Sequence, residues 1–600
     1  MNAPARAQRL ERSVRLRVAA ERTLPFAAFF AVVAAAAFIV AAQPVNSPWW
    51  TYAEADAVYV SQGLDLLRGT PVRYFDHPGL PVSELAAVSF AADYARVRVS
   101  GSSMTRAQYV DDRLLNLDKT RGIFRGLGIA IYLLGTALVF ILLARLFGGW
   151  FWGLSGAILW LAAPGLWVTS IMFKPDVAFS IAVLGVACLL GRAVEDRSPL
   201  RYAAAAAVAG FAVMLKLHAV GLLVPIVVAV VWRPPPADWW THVKSAPKHL
   251  PDLLKRWCAV PALLLFAAAI AFGLFIDATL PHALTRQEKV IVFEYIAIVL
   301  ILLALGVAAE RLNAPAPVRR VLSPFAAFVG AAFLVGLAVP ALLDFPDWLH
   351  ALVAIRDALT GHGVNSGVGA FNSTVDFHNA QMNRALLIFG VALVAAAVGV
   401  ARRDPRPVVW CTGAIALDVM AFARQGYIHY FAPGFVCAVP AVLWLATRLP
   451  ARAGVAATAV LVTIVAAPTY HLRSWSTDTN AAQRKAVDPS IAEITRRLRP
   501  NEAALTAYYW PEADNRWFND VAFYSNYVPE YPYRFLPAWS AAMPALEHRR
   551  LTPAYYTGPE IPSLHGTTKL TIWDIGSVTL EPLPGYPYAA KIVSAPGLAH

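Results

Sequence analysis

Long apolar runs recur along most of the chain, and short polar segments separate them. A run of about 20 apolar residues is long enough for a helix to cross the ~30 Å hydrocarbon core of a bilayer. The pattern therefore predicts a polytopic α-helical membrane protein. We expect about thirteen transmembrane helices, near residues 24–42, 123–147, 150–168, 176–191, 203–216, 217–232, 258–277, 290–309, 322–343, 385–401, 407–423, 430–447 and 453–469.

The stretch 203–232 decides between twelve and thirteen helices, because polar Lys216 and His218 interrupt its apolar residues. A division into two helices at this point gives the loops of one face 23 lysines and arginines and the short turns of the other face seven. Basic loops remain on the cytoplasmic side of a membrane. The division therefore predicts a cytoplasmic N-terminus, with the basic residues 1–23, and an extracytoplasmic C-terminus.

Three longer segments are predicted outside the lipid on the extracytoplasmic face. The first external loop, 43–121, contains two amphipathic stretches, 56–69 and 84–99, that we expect to form helices at the interface. The loop 344–384 is rich in Gly, Asn and Ser and is expected to be mobile. Residues 470–600 follow the transmembrane region 24–469 and are expected to form a small α/β domain, with a helix near 488–500 and a strand near 567–575.

The composition agrees with this assignment and limits the classes of function. Only 15% of the residues are charged and mean hydropathy is +0.52. The net charge of +13 is explained by basic loops that meet anionic lipid. Neither zinc-finger spacing nor an RNA-binding signature is present, so a nucleic-acid partner is not expected. The four cysteines lie in or at the edge of predicted helices, which excludes a disulfide framework in the external domain.

Two carboxylates, Glu54 and Asp56, follow the first apolar run directly after a pair of tryptophans. On a helix they would diverge, whereas on an extended segment both could face one cavity. Solvated acids at a membrane surface are an equally good interpretation. A third polar site, His77, follows in the same loop.

Charged and polar residues also recur at the predicted external ends of later helices. Such charges beside a membrane are costly unless they are paired or functional. A structural Lys–Asp pair is the alternative for the first group, and snorkelling side chains are the alternative for the others. The groups are Lys174 with Asp176, Lys216 with His218, and Arg424 with His429 and Tyr430.

These motifs together resemble the GT-C superfamily of lipid-linked sugar transferases, specifically the family 39 and aminoarabinose-transferase-like branch. The resemblance covers roughly residues 24–450. Two departures are visible: the family's adjacent Asp-Glu is here Glu54-Ala55-Asp56, and its His-Pro-Pro-Leu-Gly-Lys lacks the lysine. The matching stretches are 54-EADAVY-59, 69-GTPVRYFDHPGL-80, 174-KPD-176, 216-KLHAVGLLVP-225 and 429-HYFAP-433.

The resemblance implies transfer of a sugar from a polyprenyl-phosphate donor to a hydroxyl of an envelope lipid, glycan or protein. Asp56 would then be the general base, with Glu54 as the alternative. Asp176 would hold Lys174 or contact sugar hydroxyls, and the loop 344–384 would close over the donor. The residues expected to bind the donor phosphate and sugar are His77, Lys174, Asp176, Lys216, His218, Arg424, His429 and Tyr430.

Other functions stay open at this point. The branch works without a catalytic metal, so no cofactor is expected, although Glu54, Asp56 and Asp176 could supply oxygen ligands to a divalent cation. A transporter or lipid flippase would show matched hydrophobic halves, which the sequence lacks. A non-catalytic membrane scaffold would not need Asp56 or Lys174. The composition suggests a bacterial inner membrane protein.

Overall fold

The structure of the 600-residue chain is a computed structural model. The structure describes residues 23–43, 56–69, 79–115, 117–236, 239, 286–312, 314–359, 380–424, 428–467, 503–506, 568–572, 576–583 and 586–594.

The described part of the chain up to residue 467 is helical. In chain order the α-helices are α1 (Thr23–Ala41), α2 (Asp56–Arg68), α3 (Leu80–Val99), α4 (Arg106–Leu115), α5 (Leu117–Phe147), α6 (Trp150–Leu161), α7 (Pro175–Asp196), α8 (Pro199–Leu215), α9 (Leu223–Trp232), α10 (Arg286–Arg311), α11 (Ala316–Val321), α12 (Pro324–Ala338), α13 (Phe345–Leu359), α14 (Ala380–Ala401), α15 (Arg406–Arg424), α16 (Ala432–Thr447) and α17 (Ala451–Ala466). Short 3₁₀ turns lie at Val168–Ile171, Leu217–Leu222, Val339–Leu342 and Ile428–Phe431.

Within the described residues, six helical segments are long and apolar enough to cross a membrane, which agrees with a polytopic membrane protein. Four shorter apolar helical segments accompany them. A described helix overlaps twelve of the thirteen predicted spans; the span at 258–277 lies outside the described residues. The number thirteen and the orientation of the termini stay predictions. The six segments are Thr23–Ala41, Gly122–Phe147, Pro175–Asp196, Pro324–Leu342, Met382–Ala401 and His429–Thr447.

The helices form a bundle whose centre is α7, α15 and α16. Helix α7 contacts α5, α8, α15 and α16, and α16 also contacts α14 and α17. Trp410 of α15 is almost fully buried and donates from Nε1 to the Ala187 carbonyl of α7 at 2.7 Å. Trp444 of α16 is equally buried. A helix that is buried on nearly every side, as α16 is, belongs to the interior of the bundle.

The break predicted in 203–232 is present. Helix α8 ends at Leu215, and Lys216 has extended backbone angles, φ −156° and ψ 130°. The 3₁₀ turn Leu217–Leu222 follows before α9 begins. The chain therefore turns at Lys216 instead of running through as one long helix.

The two stretches of the first external loop that were expected to be helical are helical. Helices α2 and α3 pack against each other, and Ser83 Oγ donates to Gln62 Oε1 at 2.7 Å. Asp93 of α3 accepts from Tyr109 Oη at 2.7 Å and from Arg113 Nη2 at 2.9 Å. Because these bonds cross from α3 to α4, they tie α2, α3 and α4 into one unit.

The expectation of a loop at 344–384 is wrong for its first part, which is helix α13. The Asp344 carboxylate accepts from the Asp347 backbone N–H at 3.2 Å, which is the bond of an N-cap. Leu349, Leu352 and Ile355 follow at a spacing of three and are buried, so the apolar face anchors the helix. The Gly- and Asn-rich part, 360–379, lies outside the described residues.

Four strands are described in the C-terminal region: β1 (Ala503–Thr506), β2 (Thr568–Ile572), β3 (Gly576–Leu583) and β4 (Tyr586–Ser594). They form one antiparallel sheet in the order β1-β4-β3-β2. Strand β2 falls inside the run 567–575. The helix expected at 488–500 lies outside the described residues, so an α/β domain stays a prediction.

Candidate functional site

The first part of the site is the start of α7. Lys174 precedes Pro175, and a residue before proline is driven into an extended conformation; Lys174 has φ −129° and ψ 156°. Pro175 then opens α7, where its missing N–H costs nothing. Asp176 lies in the first turn, where a carboxylate is favoured by the helix dipole.

The second part is the break at Lys216. The Lys216 ammonium donates to Oδ1 of Asp176, 40 positions earlier in the chain. Helices α7 and α8 are neighbours, so the end of α8 returns to the start of α7. The Lys216 and Asp176 side chains are only 4% and 6% exposed. Two charges buried this deeply are tolerated because each neutralises the other.

The third part is the 3₁₀ turn that precedes α16. The Lys216 ammonium lies over the Tyr430 ring, 4.0 Å from its centroid, in a cation–π contact. The rings of His218 and His429 lie 5.0 Å and 4.5 Å from the Tyr430 ring. Tyr430 is therefore a second partner of the ammonium group that bonds to Asp176.

A glycine turn fixes His429. Gly165, in the turn after α6, has φ +67°, a conformation that side chains rarely adopt. A Cβ atom at this position would lie 2.6 Å from His429 Cβ and 2.7 Å from His429 Cα. The backbone of His429 therefore rests directly on Gly165, and its position depends on this residue.

The charges of the site favour an anion. Lys174, Lys216 and His429 all interact electrostatically with Asp176. Two ammonium groups thus face one carboxylate in a place where little water reaches the side chains, since Lys174 is also buried. Positive charge in such surroundings attracts a negatively charged group strongly.

The first external loop reaches this site through Gly79. The Gly79 N–H donates to the carbonyl of Leu215, the residue before Lys216, at 3.3 Å. Gly79 has φ +55°, and a Cβ there would lie 2.1 Å from the Tyr59 ring. Tyr59 is one turn into α2, the helix that begins at Asp56. The contacts connect the start of α2 to the Lys216 break.

Of the residues predicted from the sequence, the structure brings together Lys174, Asp176, Lys216, His218, His429 and Tyr430. The hydrogen-bonded partner of Asp176 is Lys216, while Lys174 acts on it electrostatically. The roles of all these residues stay predictions, and the side chains of four more predicted residues are not described. Glu54 and His77 lie outside the described residues. Only the backbone is described for Asp56, the first residue of α2, and for Arg424, the last residue of α15.

Glu84 was not among the predicted site residues. It is buried in α3, five residues after Gly79, and Oε1 has no hydrogen-bond partner among the described residues. Burial, reinforced by the nearby carboxylates of Asp344 and Asp347, raises the pKa of Glu84 to about 8. The carboxyl group is therefore largely protonated at neutral pH. Its neighbours are 260 or more positions away, which is why spacing gave no signal.

Asp418 was also missed, although an acid within the apolar run 407–423 is itself a signal. Its Oδ1 has no hydrogen-bond partner among the described residues. Gly434, four residues after Tyr430, lies directly against this oxygen. Asp418 therefore packs against the first turn of α16, the helix that follows Tyr430.

Part of the chain is similar to a known protein family, and the fold has a distant similarity to one solved structure. Residues 120–250 match the family of dolichyl-phosphate-mannose-protein mannosyltransferases. Among solved structures, the chain is similar to the oligosaccharyltransferase of Archaeoglobus fulgidus, with 13% identity and a TM-score of 0.38. The similarity covers 75% of this chain and 56% of that one. No curated protein matches. The segment that matches the mannosyltransferase family contains Lys174, Asp176, Lys216 and His218 of the site described above.

Proposed function

We propose that the protein moves a sugar from a polyprenyl-phosphate donor to an acceptor hydroxyl of the cell envelope, on the extracytoplasmic side of the membrane. The observation that carries the proposal is the buried cluster of Lys174, Asp176, Lys216 and Tyr430. It lies where α8 breaks and α7 begins, at one end of the bundle. A donor whose phosphate is attached to a lipid must be bound at such a position.

The cluster supplies what the leaving group needs. As the bond between the anomeric carbon and the phosphate oxygen breaks, negative charge develops on the polyprenyl phosphate. Cations that are already fixed in a water-poor place stabilise this charge without reorganisation. Lys216 is held by Asp176 and Tyr430, and Lys174 adds a second ammonium group that interacts with Asp176. His218, His429 and Arg424 are further donors to the phosphate or sugar in this proposal.

The acceptor hydroxyl attacks the anomeric carbon and must lose its proton. We assign the proton to the carboxylate of Asp56, with Glu54 as the alternative. The contact of Tyr59 with Gly79, and the bond of Gly79 to the Leu215 carbonyl, support a base on α2 that works near Lys216. His77, two residues before Gly79, would then contact the donor.

No resident metal is part of the proposal. Among the described residues, no group of three His, Cys, Asp or Glu side chains could hold a metal ion. Asp176, one of the three acids considered as ligands, already bonds to Lys216. The side chains of Glu54 and Asp56 lie outside the described residues, so independence from metal stays a prediction.

Two further parts of the proposal concern regions outside the site. Closure of the loop 344–384 over the bound donor stays a prediction, because residues 360–379 lie outside the described residues. The protein would lie in a bacterial inner membrane, with its basic N-terminus on the cytoplasmic side. The C-terminal region 470–600 would lie on the extracytoplasmic side, as the site does.

The experiment that tests the function uses membranes that contain the wild-type protein, Asp56→Asn or Glu54→Gln. Each is given radiolabelled polyprenyl-phosphate sugars and envelope extract. Asp112→Asn, an acid of α4 in the same loop, is the matched control. We expect transfer with wild type and the control, and a loss of roughly 10² to 10⁴ in rate with the variant that lacks the base.

The outcomes separate the rival functions. Equal transfer by Asp56→Asn and wild type would move the base to Glu54. Movement of the intact labelled donor across the membrane, with no product, would identify a flippase or transporter. Absence of both transfer and transport, with wild type and with every variant, would fit a non-catalytic scaffold.

A further inference from the structure

A cavity of about 460 Å³ lies at the opposite end of α8 from the candidate site. Helix α8 has 17 residues, so its two ends are about 25 Å apart at 1.5 Å per residue. Tyr202, in the first turn of α8, donates to the Arg233 carbonyl at 2.6 Å, and the cavity wall begins with the next residue, Pro234. The volume is within the range of about 300–1,000 Å³ that is typical of small-molecule sites.

One wall of the cavity is aromatic and rigid. The Trp239 ring lies 5.3 Å from the Phe325 ring and 5.5 Å from the Phe328 ring. Trp239 and Phe325 are buried, and three consecutive prolines continue the wall. Because these side chains are packed against one another, the shape of the wall does not depend on a ligand.

The other wall carries positive charge. Arg319 and Arg320 of α11 both line the cavity and are exposed. Arg320 Nη1 donates to the Val231 carbonyl at 2.7 Å, which holds this guanidinium beside the end of α9. Within the part of the chain that the structure describes, no ion pair neutralises either arginine. A pair of guanidinium groups beside an apolar wall matches a phosphate attached to an apolar body.

The surroundings indicate a membrane surface. Val318 and Val321, three apart on the same short helix, are 43% and 40% exposed, and Leu312 just before it is 80% exposed. Large apolar side chains that are exposed in this way can pack against the acyl chains of lipids. The distribution of basic residues predicts that this end faces the cytoplasm, where basic pockets between helices bind anionic head groups.

We propose that this cavity is a binding site for an anionic phospholipid of the surrounding membrane. Its phosphate would lie between Arg319 and Arg320, its glycerol region against Trp239 and Phe325, and its acyl chains along Val318 and Val321. The proposal is independent of the transferase reaction, since none of these residues belongs to the candidate site.

The test is native mass spectrometry of the protein taken from nanodiscs with equal amounts of phosphatidylglycerol and phosphatidylcholine. We expect wild type to retain phosphatidylglycerol preferentially. At about fivefold per arginine near a membrane surface, Arg319→Gln with Arg320→Gln should lower its apparent affinity roughly 30-fold. The matched control is Arg402→Gln with Arg403→Gln, an adjacent, exposed pair that does not line the cavity.

A second variant separates the cavity from its charge. Ala316→Trp, at an exposed lining position, should fill the space and release the lipid while both arginines remain. Equal retention of the two lipids by wild type, or equal loss in the Arg402 and Arg403 control, would overturn the proposal. So would retention of phosphatidylglycerol by Ala316→Trp. A thermal midpoint raised by inorganic phosphate and not by short-chain phosphatidylglycerol would identify a free anion in place of a lipid.

Discussion

The ion pair between Asp176 and Lys216 is buried. Single and double substitutions can separate its contribution to stability from its role in the reaction. Removing one partner of such a pair leaves an uncompensated charge, at a cost of about 3–5 kcal/mol. We expect Asp176→Asn to reach this range, because Lys216 and Lys174 then lose the carboxylate between them. Lys216→Met should cost less, since Asp176 keeps its interactions with Lys174 and His429.

The double variant, Asp176→Asn with Lys216→Met, should be markedly more stable than Asp176→Asn alone. Replacing a whole buried pair by uncharged side chains of similar volume is often close to neutral. The free energy of unfolding can be followed by tryptophan fluorescence in mixed micelles titrated with a denaturing detergent. Arg201→Gln, which breaks the exposed pair with Asp196, is the control and should cost less than about 1 kcal/mol.

Two results would refute this reasoning. If Asp176→Asn costs no more than Arg201→Gln, the pair is not desolvated in the membrane-embedded protein. If the double variant loses the sum of the two single losses, the residues are not coupled and their contact has no energetic weight.

Three further predictions concern neighbouring residues. Gly165→Ala should destabilise by about 1–2 kcal/mol from its left-handed backbone alone, with an added loss of donor affinity because His429 is displaced; the thermal midpoint and KM report the two effects, and an unchanged KM would contradict the positioning role. Glu84, with a pKa of about 8 in the folded state against 4.5 for a free side chain, makes stability fall as pH rises through that interval, because the folded state binds the extra proton. Glu84→Gln should therefore flatten the pH profile of the thermal midpoint and stabilise by a few kcal/mol at pH 8; an unaltered profile would show that the carboxyl is not buried. Tyr430→Phe should keep the contact with Lys216 and the stability of the wild type, whereas Tyr430→Leu should lose about 0.5–2 kcal/mol, and equal midpoints for the two would exclude a cation–π contribution.

Much of the membrane region could be predicted from the sequence because apolar runs of sufficient length have few other structures open to them. The break at Lys216 was predicted because a division there places most of the basic loops on one face of the membrane. The helix α13 was missed because the whole segment 344–384 was assigned as a loop from the Gly- and Asn-rich residues that follow the helix.

The sequence predicted most of the residues of the candidate site but not the contacts between them. Lys174, Asp176, Lys216, His429 and Tyr430 each stand at the end of a predicted helix, and a common face follows from the topology. That Asp176 bonds to Lys216 depends on how α7 and α8 are packed, which no local pattern encodes. Glu84 beside Asp344, and Gly79 beside Leu215, likewise depend on contacts between distant parts of the chain.

Stabilisation of a departing polyprenyl phosphate is the role that we propose for the cluster around Lys216. Its most direct test is the rate of polyprenyl-phosphate release in proteoliposomes, by wild type and by Asp176→Asn with Lys216→Met. We expect release that is coupled to sugar transfer in the wild type. In the double variant the rate should be at least about 10²-fold lower, although its stability is largely restored. Release at the wild-type rate by a folded double variant would contradict the claim.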